Sequence, residues 1–161
     1  MVWERLTERG IPFPMFRLDK GGLQEIAHFK HSGNGVMFSA GALWEGIDVP
    51  GDALSTLIVV KLPFAVPDPI GEYEQTLYQD MDEYKECVIV PEMLIKLKQG
   101  FGRLIRTETD TGIVAILDSR VNADGAYRER VLNALPKCYV TDDMSIVEGF
   151  MRVKKSPKYF E

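Results

Sequence analysis

An α/β fold built on a mostly parallel sheet is what the sequence predicts, on two observations. Short runs such as Ile113-Val114-Ala115-Ile116-Leu117 are apolar without a break, as expected of strands covered on both faces. Such runs alternate along the chain with segments of helical period, the pattern of strand–helix–strand units.

Taken in order, residues 3–9 read as the end of a helix cut off by Gly10 and the Pro12/Pro14 pair. A helix tail at this position suggests a reading frame that starts inside a larger fold. Met15-Phe16-Arg17-Leu18 suits a short strand. Gly21-Gly22 opens a helix with Leu23, Ile26 and Ala27 on one face, closed near Gly33. Gly35 to Ser39 is a compact apolar strand that runs into a turn rich in glycine (Gly41, Gly46, Gly51). Leu57 to Val60 is a further buried strand, followed by a proline-marked loop from Pro63 to Pro69. Beyond it, Ile70, Tyr73, Leu77, Met81 and Tyr84 recur at steps of three and four, which predicts one apolar helical stripe. Pro91 marks a helix start, with Val90, Leu94, Leu97 and Phe101 as the next stripe. Helices are expected over Gly125–Leu135, ended by Pro136, and over Asp143–Arg152, with a frayed basic tail (Lys154, Lys155, Lys158) after them.

The 161 residues suit a single domain, 1–161, long enough to bury a core. Composition is globular, at 45% hydrophobic and 27% charged, and no internal repeat is present. A net charge of −5 argues against a surface that clings to nucleic acid everywhere, but leaves room for a few placed phosphate contacts. Two cysteines, Cys87 and Cys138, are too few for a disulfide framework or an iron–sulfur cluster, and read as buried thiols in a reducing cytoplasm. The longest apolar run, Leu57 to Val66, is broken by Lys61 and Pro63 and is too short to span a bilayer. No signal peptide is expected, because residues 1–20 carry Glu4, Arg5, Glu8, Arg9, Arg17 and Asp19.

Two segments carry chemistry. In Ser39 to Gly51, three glycines let the backbone approach a ligand closely, and exposed N–H groups can take a phosphate. Glu45 and Asp48 add acceptors for sugar hydroxyls or for orienting a cation; the alternative is a tight loop whose carboxylates cap turns. In Gln99 to Arg106, a helix turning about 100° per residue puts Leu94, Leu97, Phe101, Leu104 and Ile105 on one side. Gln99, Arg103 and Arg106 then project together from the opposite side, and arginine is the residue for planar, multi-donor binding of phosphate oxygens. A solvated basic face is the alternative. Gly100 and Gly102 count against it, since each costs up to about 1 kcal/mol relative to Ala inside a helix. Close approach by a ligand or another backbone explains them better. In parallel sheets ligands gather at the carboxyl ends of strands, which points to the loop after Ser39 and the segment after Leu117.

At these two segments the sequence resembles the XPD-like, DinG-like branch of superfamily 2 DNA helicases. Ser39–Gly51, with Trp44-Glu45-Gly46-Ile47-Asp48, looks like motif V, and Gln99-x-x-Gly102-Arg103-x-x-Arg106 looks like motif VI. Lys61-Leu62-Pro63-Phe64 with Pro67, and Ile113–Leu117 followed by Asp118-Ser119-Arg120, are also similar to that branch. The likeness runs from Met15 to Pro136. It implies a RecA-like domain that clamps ATP and Mg²⁺ against an N-terminal RecA-like motor domain, with single-stranded DNA across the tops of both. On this likeness Arg103 and Arg106 are arginine fingers and Gln99 helps to sense the γ-phosphate. Gly46 lies on the nucleotide side, and Asp48 contacts the ribose or relays between ATP and DNA. Ser39 and Gly41 touch the DNA backbone, and Trp44 and Glu45 border its path, Trp44 either stacking a base or packing the loop.

Departures from the family pattern shape the expectation. No Gly-x-x-x-x-Gly-Lys-Ser/Thr phosphate loop is present, so the main ATP cradle and Mg²⁺ site are expected in the partner domain, as are the family's cluster-binding cysteines. The strand carrying motif IV is expected before Met1. Asp82-Glu83 reads as solvated rather than metal-binding, and His28 with His31 has no third ligand nearby. Arg120 is a weak addition to the nucleotide edge. The expectation is therefore a soluble, cytoplasmic half-motor that is silent by itself. The alternatives are a non-catalytic nucleic-acid or protein-binding module of the same fold, or an unrelated α/β enzyme acting on a phosphorylated ligand.

Overall fold

A computed structural model of the chain describes residues 2–18, 22–40, 49 and 54–157. Helix α1 (Val2–Glu8) is ended by Gly10 at φ 59°, and its Trp3 ring meets Phe38 edge-on at 5.2 Å. Strand β1 (Met15–Leu18), helix α2 (Leu23–Ser32) and strand β2 (Val36–Ser39) form one strand–helix–strand unit. Gly33 closes α2 in the left-handed region at φ 70°, which glycine adopts without a Cβ penalty. The two strands pair in parallel, from Met15 opposite Val36 to Leu18 opposite Ser39. Gly35 is required by packing: a Cβ there would lie 2.5 Å from Ser32 Oγ and 2.6 Å from the Phe16 ring.

A second unit holds the main core. Strands β3 (Thr56–Val59) and β4 (Ile113–Ile116) pair in parallel, from Thr56 opposite Ile113 to Val59 opposite Ile116. Between them the chain makes α3 (Pro69–Gln75), α4 (Met81–Tyr84), a π turn (Lys85–Ile89) and α5 (Val90–Leu104). A 3₁₀ turn (Ser119–Val121), α6 (Arg128–Ala134) and α7 (Met144–Lys154) follow. Val59 and Leu62 pack with Val90, Met93 and Leu97 of α5, with Tyr127 just before α6 and with Val131 of α6. The parallel α/β expectation is met by two small parallel sheets.

Five expectations need correction. The stripe from Ile70 to Tyr84 does not pack as one surface: Ile70 is 80% exposed, Tyr73 69% and Leu77 68%, while Tyr84 is buried. The helix stops after Gln75, and Asp80 starts a new one by accepting the Glu83 N–H at 2.8 Å, so the phase is lost across the break. Pro91 does not begin a separate helix. It follows the π turn, and this wider turn accommodates a residue with no N–H to donate. The β3–β4 face is not covered on both sides by described residues, since Ile58 is 55% and Leu117 64% exposed. Cys87 and Cys138 are exposed, not buried. Finally, Lys155 is not frayed; it is only 8% exposed, and its N–H donates to Met151 O at 2.9 Å.

Candidate functional site

Helix α5 presents the second motif from a firm base. Val90, Met93, Leu97, Gly100 and Leu104 are buried along one side, with Met93 and Leu97 at 0% and 1% exposure. Gln99 is exposed and Arg103 half-buried, one helical turn apart on the other side. To this point the helical reading of the motif holds. Arg106 departs from it. The helix ends at Leu104, and Ile105 is extended at φ −116° and ψ 107°, so Arg106 lies beyond the last turn. It nevertheless stays beside Arg103, because its Nε donates to the Arg103 carbonyl at 3.3 Å.

Asp110 sets that geometry. Its Oδ2 accepts the backbone N–H of Arg106 at 2.8 Å and of Thr107 at 2.9 Å, while its own N–H donates to Thr107 O at 3.2 Å. These backbone bonds hold the Asp110 carboxyl below the usual carboxylate range, and the Arg106 charge adds to them. Gly102 is exposed, and a Cβ there would meet nothing within 4 Å. Packing within the chain therefore gives no reason for that glycine.

The crossover fixes where this group sits. Strands β3 and β4 are parallel, so α5 must run back from the carboxyl end of β3 toward the amino end of β4. Arg103, Arg106 and Asp110 accordingly precede the amino end of β4, where Ile113 N–H donates to Ser55 O at 3.0 Å. The arginines therefore lie at the amino edge of the β3–β4 pair, and the segment after Leu117 at its carboxyl edge. Ser39 does close the carboxyl end of β2 and is exposed. Gly41, Trp44, Glu45, Gly46 and Asp48 lie outside the described residues. Val49, the neighbour of Asp48, is buried at 2% exposure.

Arg120 is placed at the end of β4 opposite to Arg106, so it does not join the motif arginines. Its Nε and Nη2 donate to Asp118 at 2.9 and 2.6 Å, and its guanidinium lies 4.6 Å from the Phe64 ring centroid. Asp118 also accepts the Leu62 N–H at 2.9 Å. The Arg120 hydrogen bonds hold the Asp118 carboxyl well below the carboxylate range, and Asp118 in turn raises Arg120. Gly125 allows the return of the chain, since a Cβ there would collide with the Arg120 carbonyl. Sequence reasoning passed over Asp110 and the Asp118–Leu62 bond. The one visible signal was an aspartate closing the polar stretch Thr107-Glu108-Thr109, a common cap of neighbouring N–H groups.

Among the described residues, no three His, Cys, Asp or Glu are grouped to hold a metal ion. Glu83 accepts the Gln79 N–H at 2.7 Å, and His31 Nδ1 lies 2.8 Å from Ala27 O, so both act in local turns. No helix among the described residues is long and apolar enough to cross a membrane.

Comparison with known proteins gives a consistent picture. The family described as Helicase C-terminal domain matches residues 2–138. An "ATP-dependent DNA helicase YoaA" of Haemophilus influenzae is 41% identical over 138 residues, 84% of this chain and 21% of the relative. An "ATP-dependent DNA helicase DinG" of Photobacterium profundum is 40% identical over 103 residues, 63% of this chain and 15% of the relative. A "3'-5' exonuclease DinG" of Bacillus subtilis is 36% identical over 116 residues, 71% of this chain and 12% of the relative. The chain thus spans about a fifth, or less, of the length of these relatives.

Proposed function

This chain belongs to the helicase C-terminal domain family, and we propose that it is the second motor domain of a DinG-like, ATP-dependent DNA helicase. One observation carries the reading. Gln99 and Arg103 share the outward side of a core-anchored helix, and Arg106 is pinned against the Arg103 carbonyl immediately beyond it. A planar amide and two guanidiniums concentrated there suit the oxygens of a triphosphate.

In this reading residues 1–161 form one domain, and the triphosphate with its Mg²⁺ is brought by an N-terminal RecA-like motor domain. The ion neutralises charge on the phosphates when bound. In this reading the contribution of this chain is electrostatic. Arg103 and Arg106 meet the charge that develops on the transferred phosphoryl group, and Gln99 helps to orient it. Gly46 and Asp48 are assigned to the nucleotide through the likeness of their segment to motif V. Ser39, at the carboxyl end of β2, and Gly41, Trp44 and Glu45 after it serve single-stranded DNA, whose backbone they position without reading sequence.

ATP hydrolysis is the direct assay. The purified chain with ATP, Mg²⁺ and single-stranded DNA should show no DNA-stimulated turnover, and turnover should appear in the protein that joins it to a phosphate-loop domain. Robust hydrolysis by the chain alone would overturn the division of labour.

A further inference from the structure

We infer that Asp110 is a positioning residue for Arg106, an assignment that rests on the nucleotide-phosphate reading above. Helix α5 ends one residue too early to hold Arg106 by its own hydrogen bonds: Ile105 N–H still donates to Phe101 O at 3.1 Å, but Ile105 is already extended. The next two N–H groups, those of Arg106 and Thr107, both go to a single carboxylate oxygen of Asp110, at 2.8 and 2.9 Å. Charge-assisted bonds of this length are roughly twice as strong as neutral ones. The turn is closed by the Asp110 N–H on Thr107 O at 3.2 Å and by the contact between Thr107 Oγ1 and Thr109 Oγ1 at 3.0 Å.

The direction in which Arg106 leaves the helix therefore depends on a residue four positions later. That residue need not touch the nucleotide. Removing its carboxylate frees the Arg106 backbone while leaving the buried side of α5 untouched. The guanidinium is displaced from its phosphate position, and a misplacement of about 1 Å can cost on the order of a hundredfold in rate.

The test has two arms. In the full-length helicase that carries this domain, Asp110→Ala should lower kcat for DNA-stimulated ATP hydrolysis on the order of a hundredfold. Asp110→Asn, whose amide oxygen still accepts both N–H groups, should restore most of that loss. In an Arg106→Ala background, Asp110→Ala should have no further effect. In the isolated chain, Asp110→Ala should speed amide exchange at Arg106 and Thr107, with the melting temperature little changed. An equal kcat loss from Asp110→Ala with or without Arg106 overturns the inference, as does normal kcat in Asp110→Ala when Arg106→Ala is inactive. Full activity in Arg106→Ala itself overturns the phosphate reading, and this inference with it.

Discussion

The Asp118 carboxylate grips the Arg120 guanidinium with both oxygens, at 2.9 and 2.6 Å, and takes the Leu62 N–H at 2.9 Å as well. This ties the segment after β3 to the segment after β4, with Arg120 lying over Phe64 as a lid. Asp118 is 6% exposed, whereas the Arg120 side chain is 44% exposed. The two partners are therefore not equivalent. Asp118→Ala leaves a buried N–H without its acceptor and should cost about 2–3 kcal/mol. Arg120→Ala should cost about 1 kcal/mol, since a half-exposed ion pair is screened. Urea unfolding midpoints check both.

The same carboxylate makes stability depend on acid. Its folded value is depressed, so its contribution is fully present above the unfolded aspartate value of about 3.9. As pH falls below that point the unfolded state takes up the proton first, and the contribution declines. Asp118→Asn should flatten the loss of stability between about pH 4 and pH 2 relative to the parent chain. Unfolding curves across that window provide the comparison, and parallel curves would contradict it.

Leu97 anchors the side of α5 opposite the arginines and is 1% exposed. Leu97→Ala should destabilise the chain by about 2–5 kcal/mol through lost burial and the cavity left behind. Thermal and urea denaturation measure it.

Gly102 separates stability from function. A methyl group there meets nothing within 4 Å, so Gly102→Ala should stabilise the isolated chain by up to about 1 kcal/mol through helix propensity. On the proposed function, the same substitution in a protein that joins this domain to a phosphate-loop domain should lower ATP turnover, because the open space beside Arg103 would then face the nucleotide or the partner domain. Melting temperature and kcat, read on the same variant, should move in opposite senses.

Cys87 and Cys138 are exposed. Both should react with a thiol reagent in the folded chain without denaturant, as counted by mass. Protection of both until unfolding would contradict their placement.

Much of the fold was legible in the sequence because the informative elements carry their signal locally. Gly33 marks the end of α2, the runs 35–39, 57–60 and 113–117 are too apolar for loops and fold as strands to within one residue at either end, and the stripe through Leu97 repeats at helical spacing. What escaped depends on competition between neighbours. The 70–84 stripe kept its spacing in sequence, but the Asp80 cap restarted the helix and put its halves out of phase. Arg106 looked helical by count, yet the extended Ile105 and the Asp110 carboxylate place it past the helix end. That the arginines come to the amino edge of the β3–β4 pair follows from the crossover, which no local run of residues announces. Five of the motif residues, Gly41, Trp44, Glu45, Gly46 and Asp48, fall outside the described part of the chain.

The role of the two arginines is tested most directly by kcat for DNA-stimulated ATP hydrolysis in the full-length helicase, comparing Arg103→Ala and Arg106→Ala with the parent. Loss of an arginine finger removes about 10³–10⁵ in turnover, and each variant should fall in that range while still binding single-stranded DNA. Unchanged turnover in both variants would contradict the assignment of this helix end to the nucleotide.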